Sequence, residues 1–397
     1  MVVLLRILII SLIALSCQSE QNKDKNKIVT FDLKERPKLS TVKLSELGFI
    51  DIEYIPLETK ESSFISWSNN PLGRGKIRFG GRFYIVKNAN NILKFRDNGL
   101  FEKKIGTVGR GPNEFLVSHD VQVDEQNQEI YLLARWQKKF FVYSENGNLI
   151  RTFQIPFSPN EFNFLGNDIL CYSENHMGDI KESYNLIDTN GRIIRSFPNK
   201  YPFKNHDAYG GGGENLFYKF GKRLFKKEVY SDTIYMYEKE DFKPHIVIQV
   251  GDKLLTPKVR SDYDGLYLAK NFISPMNLFE FGDFIYYEFF YEFNLGGDTK
   301  VYGFIGSKEK DIKIFFDQEQ GIINDLDGGI NIFPITTKDD NTIIALVDAL
   351  LLKTHVASEA FKNSVPKYPE KKKELEKLAK SLKETDNPVL MIVSLKK

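Results

Sequence analysis

Three stretches of this chain repeat one pattern: ILKFRDNGLFEKKIG from Ile92, FFVYSENGNLIRTFQ from Phe140 and YNLIDTNGRIIRSF from Tyr184. Each is an alternating apolar run, an Asn-Gly pair (Asn98-Gly99, Asn146-Gly147, Asn190-Gly191) and a second alternating run. Asn-Gly between alternating runs is a strong hairpin signal, and it predicts type I′ turns with both central residues at positive φ. The turn glycines lie 48 and then 44 residues apart. A hairpin recurring at that period marks one four-stranded propeller blade.

Continuing the period predicts an all-β, six-bladed β-propeller. Its blades fall at about 76–106, 121–156, 162–197, 215–250, 277–316 and from 330 onward. The last blade is closed by the chain ends: PVLMIVSLK after Asn387, and IVTFDL or DIEYIPLE near the start. Pairing the ends in one blade removes open sheet edges. The body, residues 27–397, reads as one domain, with a helical insertion at about 348–386. There KKKELEKLAKSLKE sets Leu375, Leu378, Ala379 and Leu382 on one helical face. The segment before it offers a weaker stripe of Leu350, Thr354, Ala357 and Phe361, and Asn387-Pro388 marks the stop.

The first 26 residues read as an export signal and a tether. Residues 1–16 carry Arg6 and an apolar run from Ile7 to Leu15, too short to span a bilayer and placed like a signal-peptide core. Small residues then precede Cys17, as in a bacterial lipobox, which makes Cys17 the expected lipidation site. Residues 17–26 form a polar, flexible tether. The resulting expectation is an outer-membrane lipoprotein held by its N-terminal lipid, with the membrane face left open. Cys171, the one other cysteine, sits among apolar residues and reads as a core thiol.

Lys plus Arg number 55 against 53 Asp plus Glu, a balance that argues against nucleic acid as a partner. No motif calls for a cofactor. Gly106, Gly109 and Gly111 do not make a phosphate loop, because Pro112 and a strand follow where a helix would be needed. The five histidines are scattered with no metal-binding spacing. His119-Asp120 is the pair that falls where the chain enters an innermost strand. Asp325 and Asp327, in NDLDGG, either face the central channel or make Asx turns. Arg135 beside Trp136, and Tyr209 before a run of four glycines, are candidates for a ligand-stacking rim.

The lipobox, IEYIPLET (52–59), GRGPNEF (109–115), SDTIY (231–235), NDLDGG (324–329) and TDNPVLMI near the C-terminus occur in one order. Together they resemble the six-bladed β-propeller lipoproteins of the Bacteroidota. The glycine-rich GRGPNEF element also resembles the NHL-repeat class of propeller. The resemblance implies a fold and an envelope address, and no assigned activity. Asn113 stands where the family pattern has glycine, which a left-handed Asn would accommodate. The functional expectation is a lipid-anchored binding module for a peptide, a glycan or an envelope protein. The alternative is an envelope lyase or hydrolase working in the central channel, as a peptide lyase of NHL-type fold does with metal-binding histidines.

Overall fold

A computed structural model of the chain describes residues 28–35, 38–67, 74–204, 213–293, 300–317 and 320–396. Six sheets, each with four antiparallel strands, stand around an axis. Blade one holds the strands Lys76–Phe79, Phe83–Asn88, Asn91–Arg96 and Phe101–Lys104, in that order from the axis outward. Blades two and three repeat the order over Asp120–Gln154 and Glu161–Pro198, blades four and five over Asn215–Gln249 and Ser274–Asp317. Blade six takes Thr336–Asp339, Thr342–Val347 and Val389–Leu395 from the C-terminal part, and Phe49–Pro56 closes its outer edge. The six-bladed ring is therefore as the period predicts, and DIEYIPLE is the closing strand.

The other N-terminal candidate has a different role. Val29–Asp32, within IVTFDL, pairs in parallel with the outer strand of blade four. The chain then passes blade five, where the Ser40 amide donates to the Phe315 carbonyl at 2.8 Å, and enters blade six. One strap thus covers the outer edges of three consecutive blades. Phe31 seats it, packing edge-on against Phe304 at 5.4 Å. Gly306 leaves the room, since a Cβ there would come within 2.5 Å of the Phe31 ring.

The three repeat turns occupy one structural position, the connection between the third and fourth strands of blades one, two and three. Their geometry corrects the type I′ expectation. Only the glycines are left-handed, at φ 83°, 72° and 88°, while Asn98, Asn146 and Asn190 are not. In each, the glycine amide donates three residues back, to Arg96, Ser144 or Asp188, and the strand register then shifts by one. This is a type I turn closed by a glycine bulge. Glycine is required twice over: a Cβ on Gly99 would meet the Pro56 carbonyl oxygen at 2.1 Å, and one on Gly191 the Gln154 oxygen at 2.4 Å. Each turn is thus pressed against the end of the preceding blade's outer strand.

Blades meet through apolar seams, such as Ile77, Val86 and Phe95 against Ile344, Leu346 and Leu390. Cys171 lies fully buried in the seam of blades two and three, where burial pushes its thiol pKa well up. The insertion after blade six's second strand is helical, as Ala349–Ala357, Glu359–Asn363 and Pro369–Ser381. Leu375, Ala379 and Leu382 are buried as expected. Of the earlier stripe only Phe361 is buried, while Leu350, Thr354 and Ala357 are exposed: the helix breaks at Ser358, whose side chain caps the next helix, and Ala349 and Leu352 face inward instead. The last helix stops at Ser381, ahead of Asn387.

Two helices have no counterpart in the sequence expectation: Pro257–Asp262 and Gly265–Asn271, between blades four and five. Thr256 and Asp264 cap them by accepting the amides of Val259 and Tyr267. No helix among the described residues is long and apolar enough to cross a membrane.

Candidate functional site

A four-stranded meander read outward from the axis sends its first and third turns to one rim. Its second turn and the blade-to-blade connection go to the other. Here the first rim carries only turns of two to five residues, and the second carries the long connections, up to 348–388 in blade six. Exposed large hydrophobic side chains follow the same division. Phe64, Leu116, Trp136, Met177, Tyr263 and Tyr267 all belong to the loop rim, whereas Leu100 is the only one in a tight turn among the described residues.

Arg135 and Trp136 form a one-turn 3-10 helix linking the second and third strands of blade two. GRGPNEF is its buttress. Gln137 accepts the Leu116 amide at 2.9 Å, and Lys139 donates to the Pro112 carbonyl at 2.7 Å. Within that loop Glu114 accepts the Gly111 amide at 2.8 Å, so a carboxylate holds the position a phosphate would need. Asn113 is not left-handed; the turn holds through Glu114 instead.

Trp136 is 69% exposed, and its ring meets His119 edge-on at 5.1 Å. The His119 Nδ1 accepts the Arg135 amide at 3.2 Å, which places any ring proton of the neutral form on Nε2. Burial, with Arg135 nearby, lowers the His119 pKa.

From Arg135 a chain of ion pairs follows the rim. Arg135 approaches Glu174 at 3.6 Å, and Glu174 meets His176 Nε2 at 2.6 Å. His176 Nδ1 faces Glu214 at 3.5 Å, and Glu214 meets Arg260 at 2.5 Å. Arg260 is 2% exposed and donates to the Tyr230 hydroxyl at 2.6 Å. The two flanking carboxylates, Glu174 foremost, raise the His176 pKa to about 10. Blades two, three and four and the connection to blade five each supply part of this relay, none of which the sequence reading singled out except Arg135.

Other candidates lie elsewhere. Asp120 is buried at the top of blade two's inner strand, accepting from Lys76 at 2.8 Å and from the Phe162 amide at 3.1 Å. It therefore ties blades one, two and three together. Burial opposes its charge, yet Lys76 and Arg78 hold its pKa low. Asp325 accepts the Ser45 amide at 3.1 Å. Asp327 accepts the Gly329 amide at 2.8 Å, an Asx turn, and burial raises its pKa. Neither lines the channel. Tyr209 lies outside the described residues, as do Cys17 and His206.

The central channel is a cavity of about 810 Å³ walled by the inner strands of all six blades. Lys76, Arg78, Glu161, Lys219, Lys338 and Asp339 are among its charged lining, and none of the four described histidines reaches it. Burial raises the Glu161 pKa to about 7, against the pull of Lys76, and Asn215 donates to its carboxylate at 2.7 Å. Among the described residues no three His, Cys, Asp or Glu side chains converge as metal ligands.

Six radial sheets with one rim of tight turns and one of long connections define a six-bladed β-propeller. The chain belongs to the family described as domain of unknown function DUF4934, whose profile matches residues 28–394. A Bacteroides fragilis protein named for its inferred export has a similar structure: TM-score 0.68 at 20% identity, over 94% of this chain and 100% of that one. A DUF4221 family member from Bacteroides vulgatus aligns with TM-score 0.54 at 11% identity, over 88% of this chain and 98% of that one. At these identities the likeness is one of fold. No curated protein matches the chain.

Proposed function

We propose that this protein is a lipid-anchored binding module of the cell envelope, held by an acylated Cys17 and presenting its loop rim to a peptide, a glycan or a partner protein. The observation that carries the reading is the asymmetry of the rims. Solvent-facing aromatic side chains backed by a polar network that runs from part-exposed Arg135 to buried Arg260 gather on one rim, and the other is a ring of tight turns. Interaction sites concentrate where flat aromatic anchors sit on rigid scaffolds. Export is supported by the residues before Ile28 and by the name of the Bacteroides fragilis neighbour, and anchoring by the lipobox-like residues before Cys17.

Affinity capture from envelope extracts tests the rim. Capture by the wild-type chain should be lost with Trp136→Ala plus Tyr267→Ala and kept with Asn146→Ala on the turn rim. Equal capture by all three sinks the proposal. For the anchor, Cys17→Ser should move the protein out of the membrane fraction and abolish fatty-acid labelling.

A second reading, a lyase or hydrolase in the channel, has Glu161 in its favour, a carboxyl with a near-neutral pKa facing a polar cavity. Turnover of an envelope substrate abolished by Glu161→Gln and unaffected by Trp136→Ala would establish it in place of the first.

A further inference from the structure

The relay has an aromatic platform at each end. Trp136 follows Arg135 at one end. At the other, Tyr263 comes three residues after Arg260, and its ring stacks on Tyr267 at 4.1 Å with a 16° interplanar angle. Both tyrosines are exposed, and Leu266 beside them is 50% exposed.

Three properties of this surface select its ligand. First, the platforms are flat and partly open to solvent, with Trp136 69%, Tyr263 45% and Tyr267 41% exposed, which suits a partner with a flat face of polarised C–H groups, such as a pyranose ring against an aromatic π-face. Second, each cation between the platforms already faces a carboxylate, so a charged ligand gains little there. The partly exposed Arg135 and Glu174 still offer planar donor and acceptor edges to hydroxyl groups. Third, peptide and protein hot spots are anchored in desolvated pockets, and these side chains stand on an open surface, outside the one large cavity described above.

We infer that the loop rim binds a neutral polysaccharide, one sugar ring on Trp136 and another on the Tyr263–Tyr267 pair, with Arg135 and Glu174 hydrogen-bonded to hydroxyls between them. The inference rests on the loop rim being the ligand face. Two platforms on one rigid rim also make binding depend on chain length, because the second contact is intramolecular once the first is made.

The test uses the full-length protein in detergent with five soluble probes: laminarin, dextran, galactomannan, starch and, as the acidic control, polygalacturonate. Affinity electrophoresis reads binding. Acrylamide quenching in a Trp67→Phe background, which leaves Trp136 as the only tryptophan, reads the contact itself. At least one neutral polysaccharide should retard migration and shield Trp136 from acrylamide, with short oligomers of the same sugar binding more weakly. Trp136→Ala and Tyr267→Ala should each weaken retardation about tenfold or more, with circular dichroism unchanged. Retardation by none of the neutral probes, by polygalacturonate alone, or undiminished in the double variant overturns the inference. Envelope capture separates the two failures. Rim-dependent capture of a protein leaves the loop-rim reading standing without the glycan, and rim-independent capture removes both.

Discussion

The two rims of this ring are built from the same strands and differ in what they do with the backbone between them. On the turn rim every strand-to-strand turn is short, two to five residues. Glycine is fixed there by conformation and by contact, as Gly99 shows with φ 83° and the Pro56 carbonyl against it. On the loop rim the chain is spent on long connections whose order comes from side chains: Glu114 closing its own loop, the hydrogen bonds of Gln137 and Lys139 to the GRGPNEF segment and Leu116, and the relay from Arg135 to Arg260. One rim is held by backbone geometry and the other by polar side chains around exposed aromatics. That difference separates positions where change costs stability from positions where it costs binding.

Substitutions can break or sharpen the contrast. The largest effect should come from the interior of the loop rim. Arg260→Met takes from the buried Glu214 the nearer of its two cationic partners, leaving only His176 at 3.5 Å, and breaking such a buried pair costs about 3–5 kcal/mol. Urea unfolding should show that loss; a change under about 1 kcal/mol would mean the relay is solvated. Gly99→Ala on the turn rim should cost about 3 kcal/mol, from the left-handed φ together with the clash at Pro56. Gly166→Ala, at φ 61° with open space around it, should cost only about 1 kcal/mol. Equal losses would show that the contact with the preceding blade contributes nothing.

A smaller effect should appear in the pH dependence of stability. The folded pKa of His176 lies near 10, above its ordinary value of about 6.5. Its contribution is therefore complete below about pH 6.5 and is lost as the pH rises toward 10. The stability gap between wild type and His176→Gln should narrow from pH 7 to pH 10; a constant gap contradicts the assignment. The smallest effect on folding should be that of Trp136→Ala, within about 0.5 kcal/mol, because the ring is mostly in solvent. A loss above about 2 kcal/mol would make Trp136 a structural residue.

The contrast also explains what could be read from the sequence. Turn-rim geometry is local, so an Asn-Gly pair and its period reveal the blades. Even there the pair does not define the turn type, because a type I turn with a glycine bulge and a type I′ turn share the same two residues. The helices at 257–271 escaped because each is too short to show a period, although Thr256-Pro257 and Asp264 carry the start signals. The relay is non-local, and Arg135, Glu174, Glu214 and Arg260 look unrelated in sequence. Their separations of 39, 40 and 46 residues nevertheless track the blade period, because neighbouring blades supply them at one rim. That spacing was the available signal. The family-like motifs NDLDGG and TDNPVLMI turn out to be joints: Asp327 turns its loop, and Asn387 accepts the Ile65 amide at 2.8 Å while donating to the Glu58 and Ser63 carbonyls.

The most direct test places a photo-crosslinking amino acid at position 136 in one strain and at position 146, an exposed asparagine on the turn rim, in another. Both strains are irradiated in living cells. Adducts from position 136 with none from position 146 are the predicted result. Adducts from position 146 alone, or equally from both, would contradict the loop rim as the binding face.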